Sequence, residues 1–205
     1  MAKLPVPPTK SSLLGLTRDL DFAQEGYDLL EQKRQILVLE LMSRLEAGKR
    51  AQADVDEAMA AAFEALQEAA LRSGTDALAR EALGITREHQ VDVQSRAVMG
   101  IELPSISATH EPPHPEFSTA STSVLSDVVM QRFSDALDSI ARLAEIENAV
   151  LRLATEVRRT QRRVNALDKV FIPDYRETLD YIEDVLEERE REQFVIMKMA
   201  KRHRT

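Results

Sequence analysis

Between Thr9 and Arg72 no proline interrupts the chain, and apolar residues return in steps of three and four. Leu13, Leu16, Leu20, Ala23, Tyr27 and Leu30 mark the stripe, which continues through Arg34, Leu37 and Leu41. This is a heptad seam, and a heptad seam needs a second helix to bury it. A helix of roughly 60 residues is about 90 Å long, wider than any compact domain. The pattern therefore predicts a long coiled coil. Two successive steps of four, Leu37 to Leu41 to Leu45, form a stutter that would unwind it locally. Beyond a weak stretch at Gly48 and Gln52, the seam resumes at Val55, Met59, Ala62, Leu66 and Ala69.

A second stripe of the same kind starts near Ser121 and continues past Ala200. It passes through Leu125, Phe133, Leu137, Ile140, Leu153, Val164, Leu167 and Phe171, and resumes after Pro173 at Tyr175, Leu179, Ile182 and Leu186. Pro173 removes one backbone hydrogen bond and crowds the carbonyl of Lys169. The steps Phe171–Tyr175–Leu179 keep the phase of the stripe. One bent helix is expected, its local cost of ~3 kcal/mol offset by packing.

Between the two stripes the pattern changes. Ser73-Gly74 reads as a helix stop, with Gly74 suited to a left-handed position. "TDALAREALG" predicts a short helix capped by Thr75 and ended by Gly84. "HQVDVQSRAVMGIELPSI" alternates with period two and predicts a small hairpin. "SATHEPPHPEFSTAS" predicts a Pro- and Ser-rich loop whose last hydroxyls cap the next helix. The expected fold is all-α: a long antiparallel two-helix coiled coil with a small middle segment holding a short helix and a β-hairpin. Residues 1–74 form the first long helix, 75–120 the middle segment and 121–205 the second long helix.

Composition agrees with narrow seams rather than a thick core. Aromatics are 4% of the chain with no Trp, so few large side chains exist to fill a wide interior. The formal net charge of −8 argues against nucleic acid as a partner. No cysteine is present, which excludes disulfides and thiolate metal sites. "MAKLPVPPTK" lacks the apolar core of a secretory signal, and runs such as "ILVLEL" fall short of the ~20 residues that cross a bilayer. A soluble, cytoplasmic chain without membrane insertion is expected.

Four local patterns invite chemical readings. "HEPPH", His110 to His114, matches the zinc-protease pattern in letters only, because Pro112 and Pro113 prevent the helix which that chemistry needs. It reads as a solvated loop, with no metal site and no cofactor. Arg158, Arg159, Arg162 and Arg163 stack basic groups, but on an acidic chain they read as a solvated face or a contact with an acidic partner. The carboxylates between Glu177 and Glu192 lie on an exposed helix with Glu187 and Arg191 at i, i+4 spacing, which is surface pairing rather than catalysis. Arg34 on the seam is a polar residue that sets register or snorkels. No Gly-rich phosphate loop is present, so no catalytic residue and no nucleotide site is proposed.

Arg163, Val164, Asn165, Ala166, Leu167 and Asp168 read "RVNALD". This resembles the "RVNALE" of the D subunits of the V-type and A-type rotary ATPases, and both ends of the chain carry the resemblance. Ile172-Pro173 matches that family's "IP", and Leu186 to Gln193, with Glu187, Glu188, Arg189, Glu190 and Arg191, matches its "LEExERE" run. Near the N-terminus, Pro8-Thr9-Lys10, Gly26 and Lys33-Arg34 match as well. Glu31 departs from the pattern, standing where many relatives carry Lys. The tail "FVIMKMAKRHRT" is shorter and more apolar than the family's basic end.

The resemblance implies a non-catalytic central rotor shaft. It would carry torque between ATP turnover in a hexameric head and proton or sodium transport in a membrane ring. Its implied partners are the catalytic and non-catalytic head subunits, a small companion stalk subunit of the F type, and a socket subunit on the ring. The implied place is cytoplasmic and peripheral to the membrane. The alternative is a static antiparallel coiled-coil scaffold or tether. A metal-dependent hydrolase using "HEPPH" is a third class.

Overall fold

The computed structural model describes residues 4–84, 89–98, 100–110 and 123–202. In chain order they form α1 (Lys10–Ser73), α2 (Thr75–Ala82), β1 (His89–Val98), β2 (Ile101–His110), α3 (Val124–Ala166), a π-helical turn (Leu167–Phe171) and α4 (Ile172–Arg202). Two long helical stretches, a short helix and a hairpin make up the all-α plan read from the sequence. None of the described helices is long and apolar enough to cross a membrane.

Hydroxyl groups set the starts of the long helices. Thr9 Oγ1 accepts the backbone N–H of Ser12 at 3.2 Å and caps α1. Ser123 Oγ accepts the N–H of Leu125 at 3.2 Å at the start of α3. The short helix differs from expectation. Thr75 is its first residue rather than its cap, and Gly74 stands before it with φ 82° and ψ 148°. The Gly74 N–H still bonds the Ala70 carbonyl at 3.0 Å, completing the last turn of α1. The positive φ, with a ψ outside the left-handed helical region, then turns the chain straight into α2, so Gly74 itself is the N-cap and no side chain caps the helix.

The chain divides into two compact units. One comprises Met1–Val38 with Val157–Thr205, the other Leu39–Glu156. In the second, Phe63 of α1 meets Phe133 of α3 edge to face, with ring centroids 5.6 Å apart. Ile146 Cγ2 of α3 lies 3.5 Å from where a Cβ on Gly48 would stand. From Phe63 back to Gly48 on α1, the partner moves forward on α3 from Phe133 to Ile146, so the helices run antiparallel here.

The seam of this unit is built from small residues. Ala51, Val55, Ala62 and Ala69 of α1 are buried, as are Ala136, Ser139 and Ala149 of α3. Leu137 and Ile140, expected on the seam, are exposed beside Ala136 and Ser139. Small side chains at a helix contact let the axes approach, and larger neighbours are left at its flanks. The same reason corrects the stutter: Leu45 and Gln52 are exposed, and the regular three-four alternation passes instead through Leu41, Arg44, Gly48, Ala51 and Val55. Two buried hydroxyls find acceptors, Ser126 donating across to Glu81 of α2 at 2.5 Å and Ser139 to the Asp135 carbonyl of its own helix at 3.1 Å.

The hairpin is regular. His89 faces His110 and Val98 faces Ile101, leaving a two-residue connection in which Gly100 has φ 77°. β2 extends four residues into the stretch expected to be loop. Ser107, Ala108 and Thr109 find partners in Asp92, Val91 and Gln90, and no proline occurs in that part of the strand. The rest of "HEPPH", and the expected helix start at Ser121, lie outside the described residues.

In the first unit the core is Leu16, Ala23 and Leu37 of α1 with Val164, Ile172, Leu179 and Ile182. The proline-rich segment ahead of α1 lies along α4. The Leu4 N–H donates to Thr178 Oγ1 at 3.2 Å, Arg189 Nη1 donates to the Pro8 carbonyl at 2.9 Å, and Lys10 Nζ pairs with Glu190 at 2.6 Å. The segment thus runs from Thr178 to Glu190, and α1 begins beside Glu190. α4 continues to Arg202, and every residue from Glu187 to Arg202 is exposed.

Candidate coupling surface

The motif residues singled out in the sequence all fall in the first unit, and they separate into a packing group and a polar group. The packing group surrounds the π turn. From Val157 the seam passes Thr160, Val164, Leu167, Ile172, Tyr175, Leu179 and Ile182, all buried or half-buried. Every step is three or four residues except that from Leu167 to Ile172, which is five. A regular α-helix would rotate Ile172 off the seam. The π turn absorbs the extra residue: the Ile172 N–H bonds the carbonyl of Leu167 instead of that of Asp168.

This corrects the expected register. Phe171 is 48% exposed and Ile172 8%. The bent-helix expectation is met in continuity, because helical residues run unbroken from Val124 to Arg202. The phase, however, is not kept through Phe171. The wider turn lies just where the Pro173 ring would crowd the Lys169 carbonyl of an α-helix. Within the same motif, Arg163 and Asn165 are exposed, Ala166 and Pro173 half-buried, and Asn165 accepts a hydrogen bond from Gln161 at 2.8 Å.

The polar group forms two clusters. Near the start of α1, Glu190 pairs with Lys10 and Arg189 with Pro8, while Arg191 bridges Glu187 at 2.9 Å and Glu188 at 3.4 Å. The hydrogen bond from Lys10 holds the Glu190 carboxyl below its ordinary range, and Glu190 raises Lys10 in return. Farther along α1, Arg34 grips Glu31 with two bonds, Nε to Oε2 at 2.8 Å and Nη2 to Oε1 at 2.5 Å. That bidentate contact lowers the Glu31 carboxyl. The departure at Glu31 is therefore what neutralises the half-buried arginine on the seam. Lys33 is half-buried, and Gly26 has open space where a Cβ would stand.

Two features escaped sequence reasoning. The five-residue step was visible in the spacing of Leu167 and Ile172 but was masked by the apolar Phe171. The second is an apolar groove of about 580 Å³ in the other unit, lined by Leu45, Gly48, Leu143, Ile146 and Val150 among others. Gly48 opens it, and no cluster of catalytic groups lines it. Among the described residues no group of His, Asp and Glu side chains is placed to hold a metal.

The family model of the ATP synthase D subunit matches residues 12–202. The V-type ATP synthase D subunit of Thermotoga neapolitana is 37% identical, the match covering 96% of this chain and 97% of the relative. The second V-type ATP synthase D subunit of Treponema pallidum is 38% identical, over 97% and 95% of the two chains. The A-type ATP synthase D subunit of Thermococcus gammatolerans is 35% identical, over 97% and 94%.

Proposed function

The chain belongs to the family of ATP synthase D subunits, and from that premise we propose that it is the central rotor shaft of a V/A-type rotary ATPase. It carries torque between ATP hydrolysis or synthesis in a hexameric head and proton or sodium transport in a membrane ring. The chain itself does no chemistry. Its partners are the catalytic and non-catalytic head subunits, the small companion stalk subunit and the socket subunit, and it lies on the cytoplasmic side, peripheral to the membrane.

One observation carries the reading furthest: α4 outruns the start of α1 as a single exposed helix. Phe194, Val195, Ile196, Met197 and Met199 on it are all at least half exposed. An exposed apolar stretch near the end of the helix suits insertion among surrounding subunits. The charged flanks formed by Glu187 to Glu192 suit a surface that turns against its neighbours rather than locking to them, since obligate interfaces are more hydrophobic. On this reading the coupling contacts are made by the family-motif residues Arg163, Asn165, Pro173, Lys33, Arg34 and the Glu187–Arg191 run.

The test is truncation within the assembled complex. Removing residues after Glu192 leaves the buried seam intact and lowers the number of ions moved per ATP. Removing residues from Asp174 onward leaves ATP turnover but abolishes ATP-driven transport. Full coupling in the longer truncation would overturn the proposal and favour a static scaffold.

A further inference from the structure

The two outer edges of the hairpin are not alike. Antiparallel strands turn alternate backbone groups inward to the ladder and outward to the surroundings. On β2 the outward set includes Glu102, Pro104 and Ile106, and this stretch of the edge is partly covered. The Glu102 carbonyl accepts from Arg152 Nη1 at 2.6 Å, and the Ile106 N–H donates to Glu145 Oε2 at 2.8 Å. Pro104, between them, has no N–H to offer. Two side chains of α3 and one proline thus obstruct the Glu102–Ile106 part of this edge.

The register assigns the outward set of β1. Val91, Val93, Ser95 and Ala97 stand opposite Ala108, Ile106, Pro104 and Glu102, so their N–H and C=O groups also point away from the ladder. Among the described residues nothing meets these backbone groups, and residues 90–97 are all exposed. β1 is ten residues long, pairs without a bulge and contains no proline. A β1 edge of this length, open among the described residues while part of the β2 edge is obstructed, is a template for one more strand.

We propose that β1 is a strand-addition site, occupied in the assembled complex by an extended segment of another subunit. The free backbone groups specify the chemistry of the occupant: an extended main chain with the same repeat, with side chains adding specificity. Val91 and Val93 present apolar contact on one face. Asp92 and Arg96, on the other, fit a basic residue and an acidic residue of the incoming strand. The proposal requires that the chain works within a multisubunit complex, as its family does; it does not require rotation.

The experiment is hydrogen exchange read at single-residue resolution, on the isolated full-length chain and on the purified complex. The expected result is slowing of at least tenfold at the amides of Val91, Val93, Ser95 and Ala97 in the complex, with the ladder amides between them unchanged. A V93P/S95P variant removes two outward N–H groups without touching the ladder, as Pro104 already does on β2. It is expected to keep the far-ultraviolet circular dichroism of the parent and to lose one subunit from the complex, or bind it at least tenfold more weakly. Unchanged exchange at these amides on assembly overturns the proposal. So does full assembly of the variant, or slowing that appears in the isolated chain only as its concentration rises, which would mean a second copy. Loss of coupling with these amides still protected would count against the shaft reading alone.

Discussion

Phe171 and Ile172 are adjacent and both apolar, yet one wide turn puts Ile172 on the seam and leaves Phe171 outside it. Ile172→Ala therefore removes buried contacts and should destabilise the chain by about 2–5 kcal/mol in denaturant unfolding. Phe171→Ala should cost less than about 1 kcal/mol. The reverse order would mean that the seam passes through Phe171 on a regular α-helix. At Gly26, where a Cβ meets nothing, Ala should stabilise the isolated chain by about 0.5–1 kcal/mol through lost unfolded-state freedom. A gain in stability together with weaker assembly would give this glycine a contact in the complex. The charged pairs set a pH signature. Glu31 and Glu190 have lowered folded-state pKa values, so their contribution is present above the ordinary carboxylate value of 4.5 and is lost as pH falls through the lower folded value. Lys10 is raised, so its contribution is present below 10.5 and is lost as pH rises through the higher folded value. Glu190→Gln should flatten the pair's share of both losses, as read from unfolding midpoints across the acid and alkaline ranges.

At the scale of elements, Gly74 separates α1 from α2 by a backbone conformation that an L residue adopts only under strain. Gly74→Ala should cost about 1–3 kcal/mol, or fuse the two helices with a measurable gain in helical circular dichroism. The stop itself was legible because glycine announces it. The long helices were legible because a prolonged heptad has few alternative readings. The register was less legible. Sequence patterns weigh large apolar residues most, whereas this seam is carried over long stretches by Ala51, Ala62, Ala136, Ser139 and Ala149. Leu45, Leu137 and Ile140 drew the stripe one position aside for that reason. The π turn was hidden in the same way, since Phe171 supplied a plausible step of four. Sequence spacing placed Arg34 on the seam, but its partner Glu31 emerged only from the geometry. The partial cover of one hairpin edge depends on Glu145 and Arg152, far along the chain, and no local pattern pointed to them.

For the whole molecule, the shaft proposal rests on family membership and on the exposed apolar end of α4. The absence of cysteine from the sequence lets rotation be tested on one introduced thiol, which is unique within this chain, in a complex whose other subunits carry no reactive cysteine. Leu83, highly exposed beyond α2, is suited to Leu83→Cys. With the head of the purified complex fixed to a surface and a bead carried on that thiol, the shaft account predicts continuous rotation in one direction on addition of ATP, stopping when ATP is removed. A bead that only fluctuates about a fixed angle while the same complexes hydrolyse ATP would contradict it.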